Sequence, residues 1–204
     1  MKNKYKRPLD IAIILVSHCL PPLTVLWALL WIFIPLAIWL QDRGPIFYSQ
    51  ARIGKDGRIF LIRKFRTMIP NAESVTGAVW SQTNDPRITK IGKILRWTAL
   101  DELPQLWNII RGDMTLVGPR AERPELHSKF ASEIPEFERR LEVRPGLTGL
   151  AQINGPYDLP PEEKILYDIE YISKMDLLLD IQIILLSVWY TIRGKWAHPN
   201  HPRP

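Results

Sequence analysis

Apolar residues follow three different rhythms along this chain. Residues 11 to 40 are almost uniformly apolar and contain no Asp, Glu, Lys or Arg. Shorter apolar runs then flank the turn "GKDG", and beyond Ile88 apolar positions recur at helical spacing. The pattern predicts a mostly helical α+β protein with a membrane-inserted start, one small β-hairpin and interfacial amphipathic helices.

A straight helix through residues 11 to 40 would be about 45 Å long, against a hydrocarbon core of about 30 Å. Pro21-Pro22 interrupts it, because two successive prolines remove two backbone donors and disfavour helical geometry at Leu20. Two arms result. Ile11 to Leu20 reaches about half-way across a bilayer, whereas Leu23 to Leu40 is long enough to cross, with Pro35 bending it. One reading is therefore a single span. The other is a re-entrant helix-break-helix that dips into one leaflet. Residues 1 to 10 carry four basic groups and one acid, and residues 41 to 70 carry seven basic groups and two acids. Positive charge at both ends favours the re-entrant reading, although backbone groups at the break then need partners. Trp27, Trp31 and Trp39 suit an oblique second arm at headgroup level.

Lys2, Lys4, Lys6 and Arg7 ahead of the apolar run also resemble the start of a secretory signal. The run is too long for one and ends without a small-x-small cleavage site.

The stretch Pro45 to Phe65 reads as two strands joined at Asp56-Gly57, residues that accept positive backbone angles. A loop-rich segment follows, punctuated by Pro70, Gly77 and Asn84-Asp85-Pro86. Ile91, Ile94 and Leu95 predict a short helix within residues 88 to 97, with Lys90, Lys93 and Arg96 on its other side. Leu103, Leu106, Trp107 and Ile110 predict the apolar face of a second helix, ended by Gly112. "PELHSKFASE", "PEFERRLE" and "PPEEKILYDIEYISK" each begin with proline, as helices do, and "RPGLTG" reads as a loop. The last apolar element, Asp176 to Trp196, is interrupted by Asp180 and Gln182. It reads either as an interfacial helix with Trp189, Arg193, Lys195 and Trp196 at its wet end, or as a buried core helix.

Charge narrows the partners. The net charge of +6 points to anions, but the basic residues are interspersed with acids and carry no nucleic-acid-binding signature, which argues against nucleic acid. Cys19 is the only cysteine, so an intrachain disulfide or a cysteine-rich zinc site is excluded. His18, His127, His198 and His201 lack the spacing of a catalytic zinc site.

Chemistry concentrates in "TALDELPQLWNIIRGDMTLVGPR", Thr98 to Arg120. Thr98 and Asp101 have capping-box spacing, and Pro104 is tolerated only in a first turn, which places Asp101 and Glu102 at a helix N-terminus. Acids there ordinarily complement the helix dipole for about 0.3–1 kcal/mol. Here, however, Arg96, Arg111, Arg120 and, further on, Arg144 surround the pair, and Gly118-Pro119 and Pro145-Gly146 are tight turns able to orient a guanidinium. Such forks match phosphate oxygens. A carboxylate amid them can attack phosphorus, forming an acyl phosphate, with the second acid helping to hold magnesium.

Several segments, in order, resemble the bacterial sugar transferases, or monotopic phosphoglycosyl transferases. They are "KRPLD" with the proline-broken arm, "QARIGKDGRIFLIRKFRTM", "NDPRITKIGKILRWTALDELPQLWNIIRGDMTLVGPR", "RPGLTGLAQING" and "YDIEYISKMDLLLDIQII". The resemblance implies transfer of a sugar 1-phosphate from a UDP-sugar to polyprenyl phosphate, with release of UMP, at the cytoplasmic face of the bacterial inner membrane. It implies Asp101 as covalent nucleophile, Glu102 as its partner, and Mg²⁺ held by both. Arg96, Arg120 and Arg144 fall at phosphate-contacting positions, as do Lys64 and Arg66 in "KFRTM". Pro21 and Pro22 mark the membrane break, where the family often has Ser-Pro. Ala121, Leu150 and Pro156 depart from the family pattern.

The expected organisation is a membrane segment at 1–40, a cytoplasmic catalytic domain at 41–175, and an interfacial helix with tail at 176–204 belonging to the same catalytic unit. The resemblance implies a core-only form. Two other classes fit the composition: a non-catalytic scaffold binding anionic lipid, and a lipid-phosphate hydrolase.

Overall fold

The computed structural model describes residues 4–72, 85–156 and 159–193. Lys2, Gly77, Asn84, Lys195, Trp196, His198 and His201 lie outside them. The fold is α+β and mostly helical, with two small two-stranded sheets.

Helix α1 (Lys6–Cys19) and helix α2 (Leu23–Asp42) are separated at Pro21-Pro22, where the sequence predicted a break. Pro35 lies inside α2, the helix among the described residues that is long and apolar enough to cross a membrane. The middle of the pair is largely exposed, including Val16, Leu20, Val25, Phe33 and Leu36. Its outer ends are not. Asp10 accepts hydrogen bonds from Thr115 Oγ1 (2.8 Å) and the Leu116 amide (3.0 Å), and Lys6 Nζ meets Asp180 Oδ2 at 2.6 Å. At the far end Arg66 Nη1 donates to Asp42 Oδ2 at 2.8 Å, while Ile34 and Ile38 pack with Phe65 and Leu95. Both ends of the helix pair are thus fastened to one body.

Strands β1 (Phe47–Ile53) and β2 (Ile59–Phe65) form the expected antiparallel hairpin, in register from Phe47 opposite Phe65 to Ile53 opposite Ile59. Asp56 (φ 57°) and Gly57 (φ 75°) make its turn in the left-handed region, as their types allow. Helix α3 (Lys90–Trp97) is capped by Thr89, whose side chain accepts from the Gly92 amide. A Cβ on Gly92 would lie 2.0 Å from the Thr67 carbonyl oxygen, so only glycine lets α3 rest on the strand end.

Helix α4 (Gln105–Arg111) ends at Gly112, as predicted, but its buried face is not the predicted one. Gln105, Asn108 and Ile109 face inward, whereas Trp107 and Ile110 are exposed. Asn108 accounts for the reversal. It donates to the Leu61 carbonyl and accepts from the Arg63 amide, so a satisfied amide occupies a core position beside β2.

Strand β3 (Thr115–Val117) pairs in parallel with β4 (Gly146–Thr148), so the "RPGLTG" loop contains a strand. Helix α5 (Pro124–Glu133) forms as predicted, whereas Pro135–Glu142 is a 3₁₀ helix. Helix α6 (Leu150–Asn154) leads to α7 (Pro161–Lys174), and α8 (Leu177–Ile192) closes the described chain. The main core joins Ile14, Ile62, Ile109, Val117, Tyr171 and Ile183 from six elements. Helix α8 combines features of both its readings. Asp180 and Ile183 are buried, and Asp180 is sheltered by Lys6 and Tyr171. The opposite face exposes Leu178, Leu185, Val188 and Ile192.

Candidate active site

The dyad sits where three segments converge. Thr98 closes α3: its hydroxyl donates to the Ile94 carbonyl at 2.9 Å, so the expected capping box with Asp101 does not form. Ala99 then turns the chain at φ 54°, a conformation uncommon for a residue with a side chain. Asp101 and Glu102 consequently occupy a separate 3₁₀ turn, Leu100–Glu102, ahead of α4 rather than its first turn.

Lys64 comes from β2, two residues after buried Ile62 and so on the same inward strand face. Its Nζ lies 2.5 Å from Glu102 Oε1 and 3.9 Å from Asp101 Oδ2. Arg120, just beyond β3, places Nη2 2.7 Å from the same Glu102 oxygen. Arg96 Nε donates to Thr67 Oγ1 at 2.9 Å, and its charge acts on Asp101. A Cβ on Gly146 would lie 2.1 Å from the Gly118 amide nitrogen, so the two Gly-Pro turns carrying Arg120 and Arg144 pack at a distance only glycine permits.

The structure therefore brings together Asp101, Glu102, Lys64, Arg96 and Arg120. It treats the other basic residues differently. Arg144 is exposed, although its backbone lies beside Gly118. Arg66 points elsewhere, engaged by Asp42 and the Pro45 carbonyl at the end of α2, so its visible work is to anchor that helix. Arg111 is exposed, with Asp113 3.6 Å away.

The two acids differ in electrostatics despite being neighbours. Burial pushes the Asp101 carboxyl up to about 6, partly offset by Lys64 and reinforced by the charge of Glu102. Burial acts upward on Glu102 too, but Arg120 and Lys64 outweigh it and hold that carboxyl well below the usual range. Adjacent groups driven apart in this way differ in basicity and hence in the work each can do. Glu102 is the fixed, fully ionised partner. Asp101 is the more basic carboxylate of the two.

The sequence matches a known family: the bacterial sugar transferase family model aligns with residues 1–194. The chain belongs to the bacterial sugar transferases. It is 40% identical over 168 residues to the galactosyl transferase CpsE of Streptococcus agalactiae serotype III (strain NEM316), covering 77% of this chain and 37% of that protein. It is 37% identical over 196 residues to the UDP-N-acetylgalactosamine-undecaprenyl-phosphate N-acetylgalactosaminephosphotransferase of Aeromonas hydrophila, covering 94% of this chain and 44% of the relative. A UDP-glucose:undecaprenyl-phosphate glucose-1-phosphate transferase of Caulobacter vibrioides (strain ATCC 19089 / CIP 103742 / CB 15) is 41% identical over 172 residues, covering 81% of this sugar transferase and 64% of the Caulobacter protein. The chain spans less than two thirds of the length of each of these three relatives.

Sequence reasoning missed a layer behind Arg120. Buried Arg140 donates from Nη2 to the Arg120 carbonyl and from Nε to Asp168 Oδ2, both at 2.7 Å. Arg52 Nη1 donates to the Ala121 carbonyl at 2.9 Å. One signal was available in the sequence: Asp168 lies three residues from both Ile165 and Tyr171, on the apolar face of α7, where an acid requires a partner.

Proposed function

We propose that this sugar transferase moves a sugar 1-phosphate from a UDP-sugar to polyprenyl phosphate and releases UMP, through a covalent intermediate on Asp101. In the first step an Asp101 carboxylate oxygen attacks the phosphorus that bears the sugar. The bond from that phosphorus to the UMP oxygen breaks and UMP leaves. In the second step an oxygen of polyprenyl phosphate attacks the same phosphorus, the acyl-phosphate bond breaks, and the carboxylate is regenerated. The observation that carries this reading is the unequal dyad: a buried, more basic Asp101 beside a Glu102 fixed by Lys64 and Arg120. The cations offset the repulsion between carboxylate and diphosphate, the main obstacle to such an attack.

Asp101 and Glu102 fit magnesium in kind, since that ion takes one or two carboxylates and completes its shell with substrate phosphate and water. Among the described residues no group of three or more His, Cys, Asp or Glu could hold a metal without substrate. Bound there, the ion would neutralise phosphate charge. The chain's own contribution is to orient the nucleophile and supply Lys64, Arg96 and Arg120.

We read residues 11–40 as re-entrant in the cytoplasmic leaflet of the inner membrane. Support comes from the attachment of both helix ends to one body and from the exposed break between them. Arg43 stacks over Trp39 at 4.0 Å and Arg193 over Trp189 at 4.0 Å, cation–aromatic pairs suited to the headgroup level at the ends of α2 and α8. The relatives' names differ in the sugar, so the donor class is UDP-sugars, to be resolved by screening them.

Exchange of labelled UMP into UDP-sugar without lipid acceptor tests the reaction, because a covalent intermediate permits reversal of the first step alone. A surface scaffold or lipid-phosphate hydrolase shows no exchange. Its absence from the wild-type chain with every UDP-sugar tried would overturn the proposal.

A further inference from the structure

We infer that the buried Arg140–Asp168 pair is a positioning device that holds the loop carrying Arg120, and so fixes where the Arg120 guanidinium meets Glu102 and the substrate phosphate. The inference rests on the proposed reaction for its kinetic consequence, but its structural part stands independently.

Arg140 and Asp168 are 4% and 1% exposed. A buried ion pair of this kind contributes little net stability, since desolvation consumes most of the attraction and apolar replacements often do as well. Its geometry points to another use. The Arg140 guanidinium is fixed three ways: Nε on Asp168, Nη2 on the Arg120 carbonyl, and its face 4.5 Å from the centre of the Phe137 ring. Three consecutive carbonyls are held from outside the loop, the first of them by Arg140. Arg120 is held by Arg140, Ala121 by Arg52 Nη1, and Glu122 by the Ile53 amide at 3.0 Å. On the other flank the Gly146 amide donates to the Pro119 carbonyl and the Gly118 amide to the Thr148 carbonyl, each at 2.9 Å. The loop is clamped on both sides. Arg140 touches no reacting group and acts through the backbone of Arg120.

The test uses the full chain in nanodiscs. Replacing the pair together, Arg140→Met with Asp168→Leu, removes the clamp without stranding a charge. Arg140→Lys keeps a cation for Asp168 but loses the planar fork that reaches both partners. Three quantities are read: the melting temperature, hydrogen exchange at the Gly118 and Gly146 amides, and kcat and KM for UMP release from UDP-sugar. The expected result is a nearly unchanged melting temperature, faster exchange confined to those amides, and kcat lowered by about 10²-fold, the order expected for misplacing a catalytic group by an ångström. KM should change much less, and Arg140→Lys should fall between. Unchanged amide exchange would overturn the inference. So would exchange rising throughout with a lowered melting temperature, or failure of both variants to fold, since each means a purely structural pair. If the wild-type chain releases no UMP, the proposed reaction fails, while amide exchange still decides the clamp.

Discussion

Replacing Asp101 by Asn should make this protein inactive and more stable. The carboxyl is buried, with its side chain 11% exposed, and its midpoint is raised from 3.8 to about 6. Below pH 3.8 it is protonated both folded and unfolded, and costs nothing. Between there and pH 6 the unfolded chain ionises first, so stability falls as pH rises. Above pH 6 both states are ionised and the full cost remains, at most about 3 kcal/mol. Asparagine carries no charge, so its advantage should be near zero at pH 4, grow through pH 5 and level off above 6. For a domain of this size about 3 kcal/mol corresponds to a rise in melting temperature of roughly 6–12 °C. The assay is thermal unfolding of both chains in the same detergent with magnesium chelated, from pH 4 to 8. A variant no more stable than wild type at pH 7.5, or a difference independent of pH, would refute the assignment of a strained ionised carboxylate at 101.

Glu102→Gln should do the opposite at neutral pH: its carboxyl is depressed, so the stability it lends is present above the usual carboxylate range, and losing its charge leaves Lys64 and Arg120 facing each other. Loss of about 1–3 kcal/mol in the same unfolding assay is expected, and an unchanged melting temperature would argue against the contacts. UMP exchange should rise with pH through about 6, as Asp101 ionises, and then level off; a flat acid limb would remove that group from the chemistry. Single cysteines at Lys4 and Arg43 should both be labelled from the cytoplasmic side, and labelling from opposite faces would mean a true span. Gly92→Ala should destabilise the chain by several kcal/mol, because its new Cβ would meet the Thr67 carbonyl at 2.0 Å and α3 must lift off; a melting temperature within a degree of wild type would contradict that packing.

The helix break, the β-hairpin and the dyad with most of its cations were legible because each has a local signature: paired prolines, Asp-Gly between apolar runs, and adjacent acids framed by basic residues. The missed features depend on what a segment packs against. Trp107 and Ile110 have the spacing of a core stripe, but Asn108 takes the inward position because β2 offers it backbone partners. Thr98 has the spacing of a cap, yet its hydroxyl closes the preceding helix. Arg66 sits two residues from Lys64 and could not be separated from it in sequence, although one supports α2 and the other meets Glu102. Asp10, Asp168 and Asp180 share a readable sign: each is a lone acid on the apolar side of a helix, and each is buried with a partner. The partners of Asp10 and the charged partner of Asp180, Lys6, are more than a hundred positions away, so the need was visible and its answer was not.

The central claim is a bond between the Asp101 carboxylate and the phosphorus of a sugar phosphate. Intact-mass spectrometry of the chain mixed with a UDP-sugar and magnesium, without lipid acceptor, measures it directly. The account predicts a gain equal to one sugar phosphate, mapped by peptide fragmentation to Asp101, discharged by polyprenyl phosphate and missing from Asp101→Asn. A wild-type chain that releases UMP yet never gains mass, or a modified Asp101→Asn chain, would contradict it.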